Sequence, residues 1–229
     1  MRQAEKRDRE TTRVYAKRII TEKIISLELE PGQMMSETEL AGELEISRTP
    51  VREALIELSK TGIIEVMPQK GIRVSLIDYS KVEEARFLRL ALETAILDRV
   101  CEITDKEAFS ALVENVQLQQ FYLDNQQVDK IMELDNAFHK ELFRLAGMMQ
   151  IYQLVSEMSI YFDRIRRMSL TSVKDLKIVA DHTAILDAIL HHDVDCAKEI
   201  TTEHLSRYQI DRIAIRNSYP ARYFVSSDT

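Results

Sequence analysis

Three of the five histidines in this 229-residue chain stand where imidazole chemistry could be assembled. Asp135 and His139 lie four residues apart in a run with helical apolar spacing (Leu134, Phe138, Leu142), so their side chains share one face. His182 opens the apolar part of a later helix, and His204 lies midway along the next. A carboxylate and three imidazoles from three helices suit a divalent transition metal, zinc first, with nickel, manganese or iron also compatible. Neutral imidazole is the ligating form, so binding should weaken in acid. A single histidine on such a face is more often a hydrogen-bonded structural residue, and only the Asp-x-x-x-His pair has metal spacing of its own. His191 and His192 sit at a helix C-terminus, where a cationic ring is favoured, and read as structural.

A second stretch, Ser36 to Arg73, carries a different chemistry. Ser36 with Glu39 forms a capping box, and Leu40 and Leu44 share a face. Ser47 caps a second helix with Pro50 in its first turn and a buried stripe of Val51, Leu55 and Leu58. Arg48, Thr49 and Arg52 stand off that stripe near the positive end of the helix. Gly62 ends it. Ile63–Val66 and Ile72–Leu76 alternate like strands around the turn Pro68-Gln69-Lys70-Gly71. Two helices and a hairpin in this order make a winged helix-turn-helix, whose second helix enters the major groove while Lys70 suits a phosphate or minor-groove contact. A protein-interaction module with an ordinary charged face has the same pattern.

Composition frames both stretches. Hydrophobic residues make up 45% of the chain and Gly and Pro are scarce, which suits a largely helical globular protein with two modest domains. The net charge of −7 looks wrong for a DNA binder. Residues 1–75 are neutral, with 13 basic and 13 acidic side chains, and the remainder holds 18 basic and 25 acidic. A neutral module binds DNA weakly alone, so a homodimer reading two half-sites is expected. No apolar run approaches a membrane span and no signal peptide appears, so a cytoplasmic protein is expected. Cys101 and Cys196 lack metal spacing and read as buried thiols in a reducing compartment.

In chain order, residues 1–11 form a charge-dense arm. Residues 12–77 form the winged helix-turn-helix domain, opened by a helix over Thr12–Leu27 with Val14, Ala16, Ile20, Ile24 and Leu27 inward. Residues 78–80 are a linker. Residues 81–217 read as six helices: Lys81–Glu102 (Phe87, Leu88, Ala91, Leu92, Ala95 and Ile96 inward), Thr104–Asp124 (capped by Thr104), Val128–Leu145, Met149–Leu170, Lys174–Leu190 and Val194–Asn217. Residues 218–229 read as a loosely held tail. The fold class is mainly α, an N-terminal winged helix-turn-helix plus a C-terminal all-α bundle with interior space.

Both halves resemble one family. Leu29-Glu30-Pro31-Gly32, Ser36-Glu37, Leu40-Ala41, Gly62 and the run Ser47-Arg48-Thr49-Pro50-Val51-Arg52-Glu53-Ala54-Leu55 resemble the DNA-binding domain of GntR-family bacterial transcription regulators. That resemblance implies DNA contacts by Ser47, Arg48, Thr49 and Arg52, with Lys70 and Gly71 nearby. Thr38 stands where some members have Arg. Leu88–Glu93, Asp135–His139, Asp181–Ile189 and His204-Leu205 resemble the ligand-sensing FCD domain of the FadR subfamily, in its shorter, VanR-like six-helix branch. It implies a metal held by Asp135, His139, His182 and His204, with Asp181 behind His182. It also implies a small carboxylate effector at the open coordination positions. Such an acid wants an arginine: Arg89 first, with Arg86, Arg164 and Arg167 as alternatives, while Arg89 could equally form an i,i+4 salt bridge to Glu93.

The combined expectation is a metabolite-responsive regulator, repressor rather than activator, that binds double-stranded operator DNA as a dimer. Two other functions fit the same residues: a metalloenzyme using the open positions, and a regulator whose metal is purely structural.

Overall fold

The computed structural model describes residues 6–67, 69–172 and 177–226. It divides into two compact units, Met1–Val82 together with Tyr219–Thr229, and Glu83–Ser218. The first five residues of the arm, Pro68 of the turn, the Lys174 start of the fifth bundle helix and the last three residues lie outside the described set.

In the first unit α1 (Thr12–Ile25) is capped by Thr11, whose hydroxyl accepts from the Val14 amide. Its buried side carries Ala16, Ile20 and Ile24, and α1 packs on α3 (Arg48–Lys60). Val14, expected inward, is 45% exposed because it falls on the opposite side of that helix. Between them β1 (Met34–Met35) precedes α2 (Glu37–Glu43), which opens with the Ser36–Glu39 capping box. A turn through Glu45 (φ 54°) leads to α3, whose Val51, Ala54, Leu55 and Leu58 are buried. The wing is β2 (Ile64–Met67) paired antiparallel with β3 (Gly71–Val74). β1, which the sequence pattern does not reveal at two residues long, adds to the other edge of β3, giving the order β1-β3-β2. Gly71 is required there: its φ is +100°, and a Cβ would meet the Met35 carbonyl oxygen at 2.3 Å.

Among its described residues the C-terminal tail is not loose. The Ile77 amide donates to the Tyr223 carbonyl at 2.7 Å, and the Val225 amide to the Ile77 carbonyl at 2.9 Å. Phe224 stacks on Tyr79 with ring centroids 6.0 Å apart, and Arg222 pairs with Glu30 at 3.2 Å. Apolar burial of Tyr223 and Phe224 explains why a Pro-containing polar segment is nevertheless ordered.

The second unit is all helix. α4 (Tyr79–Cys101) leads into a 3-10 turn at Lys106–Phe109 capped by Asp105 rather than Thr104, and α5 (Ser110–Asp124) follows. α6 (Val128–Leu145) packs on α5. The expected fourth helix is divided at Ser159 into α7 (Met149–Met158) and α8 (Ile160–Ser172). α9 (Ile178–Leu190) packs on α10 (Val194–Ser206), and the expected sixth helix is divided at Arg207, with α11 (Tyr208–Ser218) beyond. At both divisions a serine hydroxyl donates to the carbonyl four residues back, Ser159 to Val155 at 2.9 Å and Ser206 to Thr202 at 2.7 Å. The same bond occurs within unbroken helices at Thr94, Thr183 and Thr202, so it accompanies the divisions without accounting for them. The core is built from Leu97, Phe109, Leu112, Phe138, Phe143, Ile185 and Ile189. α4 turns Ala85, Arg89, Glu93, Ile96 and Leu97 inward, whereas Phe87, expected inside, is 67% exposed.

Replacing Phe224 by Ala should destabilise the first unit by about 3 kcal/mol. Hydrogen exchange is the check: amides of α1, α3 and the wing should lose protection while those of α6 and α9 keep theirs.

Candidate metal centre and nucleic-acid interface

α6 presents Asp135 and His139, α9 His182 and α10 His204, and one ligand atom from each lies within 4.8 Å of all the others. His204 Nε2 is 3.3 Å from His139 Nε2 and 3.2 Å from His182 Nε2. Asp135 Oδ1 is 3.9, 3.6 and 3.8 Å from the Nε2 atoms of His139, His182 and His204. Metal bonds of about 2.0–2.2 Å place neighbouring ligand atoms roughly 3–3.6 Å apart, so this spacing fits one ion after small adjustment.

The far side of each ring is fixed. His139 Nδ1 donates to Glu93 Oε2 at 2.6 Å, His182 Nδ1 to Gln119 Oε1 at 2.8 Å and His204 Nδ1 to Asp181 Oδ2 at 3.2 Å. An oxygen at Nδ1 puts the proton there and leaves the Nε2 lone pair for the centre. The amide of Gln119 is itself oriented, since its Nε2 donates to Asn115 Oδ1 at 2.6 Å and Asn115 Nδ2 donates to the Leu134 carbonyl at 3.0 Å. Phe138 stacks on the His182 ring at 4.1 Å. Asp135 Oδ1 is buried and accepts no hydrogen bond from any described residue, as befits an oxygen meant for a cation.

Burial, with the Arg89 charge, pushes His139 below its ordinary value; burial, with neighbouring His204, pushes His182 well below. Burial brings His204 down to about 4 although its bond to Asp181 pulls upward. The rings are therefore neutral, the form a metal needs. Burial works against the Glu93 charge, but His139 and Arg89 hold that carboxyl low. Burial raises Asp163 to about 7 against the pull of Arg89.

Arg89 is 3% exposed, donates from Nε to Glu93 Oε1 at 2.6 Å, and stands 4.0 Å from Asp135. It does not line the cavity of about 300 Å³ that reaches Asp135 and His204. The cavity-facing cations are Arg166, Lys177 and Arg207, with Phe162, Ile178 and Leu205 among the apolar walls. Arg166 pairs with Asp135 and, at 2.7 Å, with Asp163. Arg207 grips Asp181 through two bonds of 2.5 Å. The alternatives lie elsewhere: Arg86 on Glu83 and Ser206, Arg164 over the Tyr161 ring, and Arg167 on Asp129. His191 is exposed at the end of α9, and His192 (φ 59°) donates to the Cys101 carbonyl at 2.7 Å.

In the first unit Ser47 occupies the N-cap position of α3 but makes no side-chain capping bond. Ser47, Arg48, Thr49 and Arg52 are exposed along its first turns, and Lys70 is exposed at the wing tip. Arg48 and Arg52 each lie 4.0 Å from Glu37. Gly71, grouped with these residues on sequence, has the steric reason given above.

Residues 11–74 match the bacterial regulatory proteins of the gntR family, and residues 84–207 match the FCD domain. The chain is 35% identical over 218 residues to an uncharacterized HTH-type transcriptional regulator in an unstable DNA locus of Streptomyces ambofaciens, covering 94% of this chain and 90% of that protein. The chain belongs to the GntR family. This GntR-family transcriptional regulator is also 30% identical to the HTH-type transcriptional repressor RspR of Escherichia coli K12 over 82% of its length and 83% of RspR. Its fold is that of E. coli McbR/YncC, with a TM-score of 0.78 at 16% identity over 91% of this chain and 99% of that one. The relatives are regulators, which sets the metalloenzyme alternative aside.

Sequence reasoning passed over Glu93 as an orienting group, Gln119, Asn115 and Arg166. Glu93 was legible only as a salt-bridge partner of Arg89, four residues before it. Gln119 and Asn115 carry no charge and no metal spacing, though their four-residue interval was a usable signal.

Two outcomes are expected of this regulator. Gln119→Ala should weaken zinc affinity by about 10–100-fold in a competition titration, with the fold retained. Where the cluster is loaded with zinc, protons compete only below each ring's lowered value, so the ion should be lost below the ordinary histidine range, as pH falls towards about 4, followed by dialysis and elemental analysis.

Proposed function

We propose that this GntR-family regulator is a dimeric, cytoplasmic repressor that holds a divalent metal through Asp135, His139, His182 and His204 and senses a small carboxylate beside it. The observation that carries the reading is the convergence of three Nε2 atoms and an unpartnered Asp135 oxygen, with every Nδ1 turned outward onto an acceptor. Zinc is the first candidate ion on this donor set, with nickel, manganese or iron behind it. When bound, the ion supplies a Lewis-acidic position for an anionic oxygen.

Charge supports an acid as the effector. Glu93, Asp135, Asp163 and Asp181 surround the site together with Arg89, Arg166 and Arg207. Lys177 adds a fourth cation on the cavity wall and burial raises Asp163 to about 7, so with a divalent ion held the surroundings carry excess positive charge, which favours an anion where unbalanced charge is costly. Arg166 replaces Arg89 as the arginine that meets it, because Arg166 lines the cavity.

On the DNA side, Ser47, Arg48, Thr49 and Arg52 enter the major groove and Lys70 with the Gly71 backbone meets phosphate or minor groove. Repression, rather than activation, is supported by the RspR relative. The route from site to DNA runs through the chain itself: His204 on α10, the division at Arg207, α11, and then Tyr219–Val225, which belong to the first unit.

Elemental analysis of the purified protein beside Asp135→Ala tests the site. Near-stoichiometric metal lost in the variant is expected; equal metal in both forms removes the assignment. Arg48→Ala should weaken operator binding by about 1–3 kcal/mol. An equal loss on random duplex makes Arg48 a phosphate contact instead.

A further inference from the structure

The cavity beside the candidate centre has two unlike ends. Its floor is Asp135, 0% exposed, with Arg166 paired to it. Phe162, Leu170 and Leu205, all buried, form apolar walls above the floor. Ile210, 79% exposed, marks the outer edge. Beside it the wall carries a second carboxylate, the half-buried Asp211 of α11. The hydroxyl of Ser169, on α8 and on the same wall, donates to Asp211 Oδ2. Among the described residues nothing donates to Asp211 Oδ1.

A carboxylate is favoured in the first turn of any helix, which by itself accounts for an acid at this point of α11. It does not account for a serine of another helix fixing one oxygen on the cavity wall while the other stays open. A fixed acceptor discriminates in favour of a ligand that brings a donor and against the analogue that lacks one. The donor that fits is a hydroxyl rather than an ammonium. Lys177 lines the same cavity and Arg207 stands one turn before Asp211, so a further cation would meet both, whereas a hydroxyl donates without adding charge.

We propose that Asp211, positioned by Ser169, selects the effector: an acid whose carboxylate goes to the floor of the cavity and whose far end, beyond an apolar chain, carries a hydroxyl. The proposal rests on the carboxylate-sensing reading above and names the ligand's second functional group.

Isothermal titration calorimetry of the zinc-loaded full chain tests it. The probes are the terminal hydroxy acids from 3-hydroxypropanoate to 8-hydroxyoctanoate, each beside the straight-chain acid with the same number of non-hydrogen atoms, butanoate to nonanoate. At the length that spans the cavity the hydroxy acid should bind at least about tenfold more tightly than its partner. In Asp211→Ala the two should bind within about twofold of each other, with zinc content and circular dichroism unchanged. A purely helix-stabilising Asp211 would instead lower the melting temperature of that variant and leave the preference intact, which overturns the proposal. Equal binding of every pair by the wild type also overturns it, needs no variant to fold, and leaves carboxylate sensing standing. Tighter binding of the matching terminal amino acids, such as 5-aminopentanoate, overturns the choice of donor. If neither series binds at any length, the carboxylate reading falls and this proposal falls with it.

Discussion

Withdrawing Asp135 from water is the constraint on which the second unit depends. An ionised carboxylate that is 0% exposed costs several kcal/mol unless cations and hydrogen-bond donors surround it. Arg166 meets one oxygen, while the other faces the Nε2 lone pairs of three imidazoles, an arrangement that a bound cation would offset. Each imidazole then needs an acceptor at Nδ1, and each acceptor needs support of its own. Glu93 finds Arg89, Asp181 finds Arg207, and Gln119 finds Asn115 and through it the Leu134 carbonyl. One buried charge thus dictates the inward faces of α4, α5, α6, α8, α9 and α10. It explains why α4 buries an arginine and a glutamate and leaves a phenylalanine outside. The hydrophobic core beneath, around Phe138 and Ile185, could be satisfied by many apolar sequences; this polar layer could not.

The helix divisions at Ser159 and Arg207 belong to the same arrangement. At the division Arg207 makes two bonds to Asp181, the group that orients His204. The division therefore sits between a ring of the candidate centre and α11, three residues from the first and directly before the second. A ligand can exploit such a junction only by binding its two arrangements with different affinity.

Much of this was legible in the residues, for identifiable reasons. The Ser36–Glu39 capping box, the Val51/Leu55/Leu58 stripe and the glycine at position 71 are local features, and local physics decides them. The Asp135–His139 pair is also local, and His182 and His204 stood out because the chain has so few histidines. What escaped depended on which side of a helix meets the rest. In α4 the apolar residues divide between two faces, so periodicity alone could not say that Ala85, Arg89 and Glu93 go inward. Arg166 is not singled out by the sequence for the same reason: sequence places a cation on a helix, not on a cavity wall. The divisions at Ser159 and Arg207 carry no local signal, since the serine back-bonds beside them also occur within unbroken helices. The tail reads as loose because Pro220 and its polar neighbours outweigh Tyr223 and Phe224, whose partners lie far away in the chain.

The cavity bears on the choice between a sensing centre, as proposed, and a purely structural one. Structural metal sites are closed, with four donors and no room beside them. Here the four donors are not equivalent. Asp135 and His204 border the cavity, whereas His139 and His182 stand behind them, their rings packed between Phe138, Glu93 and Gln119. An ion held by this set is sealed on one side and faces about 300 Å³ of space on the other. That space has an apolar wall and a guanidinium next to the Asp135 carboxylate, a lining compatible with the proposed effector, an anionic head on a small apolar body. A metal needed only for stability would gain nothing from leaving its Asp135 side open, and burying that face would have been the cheaper solution for the fold.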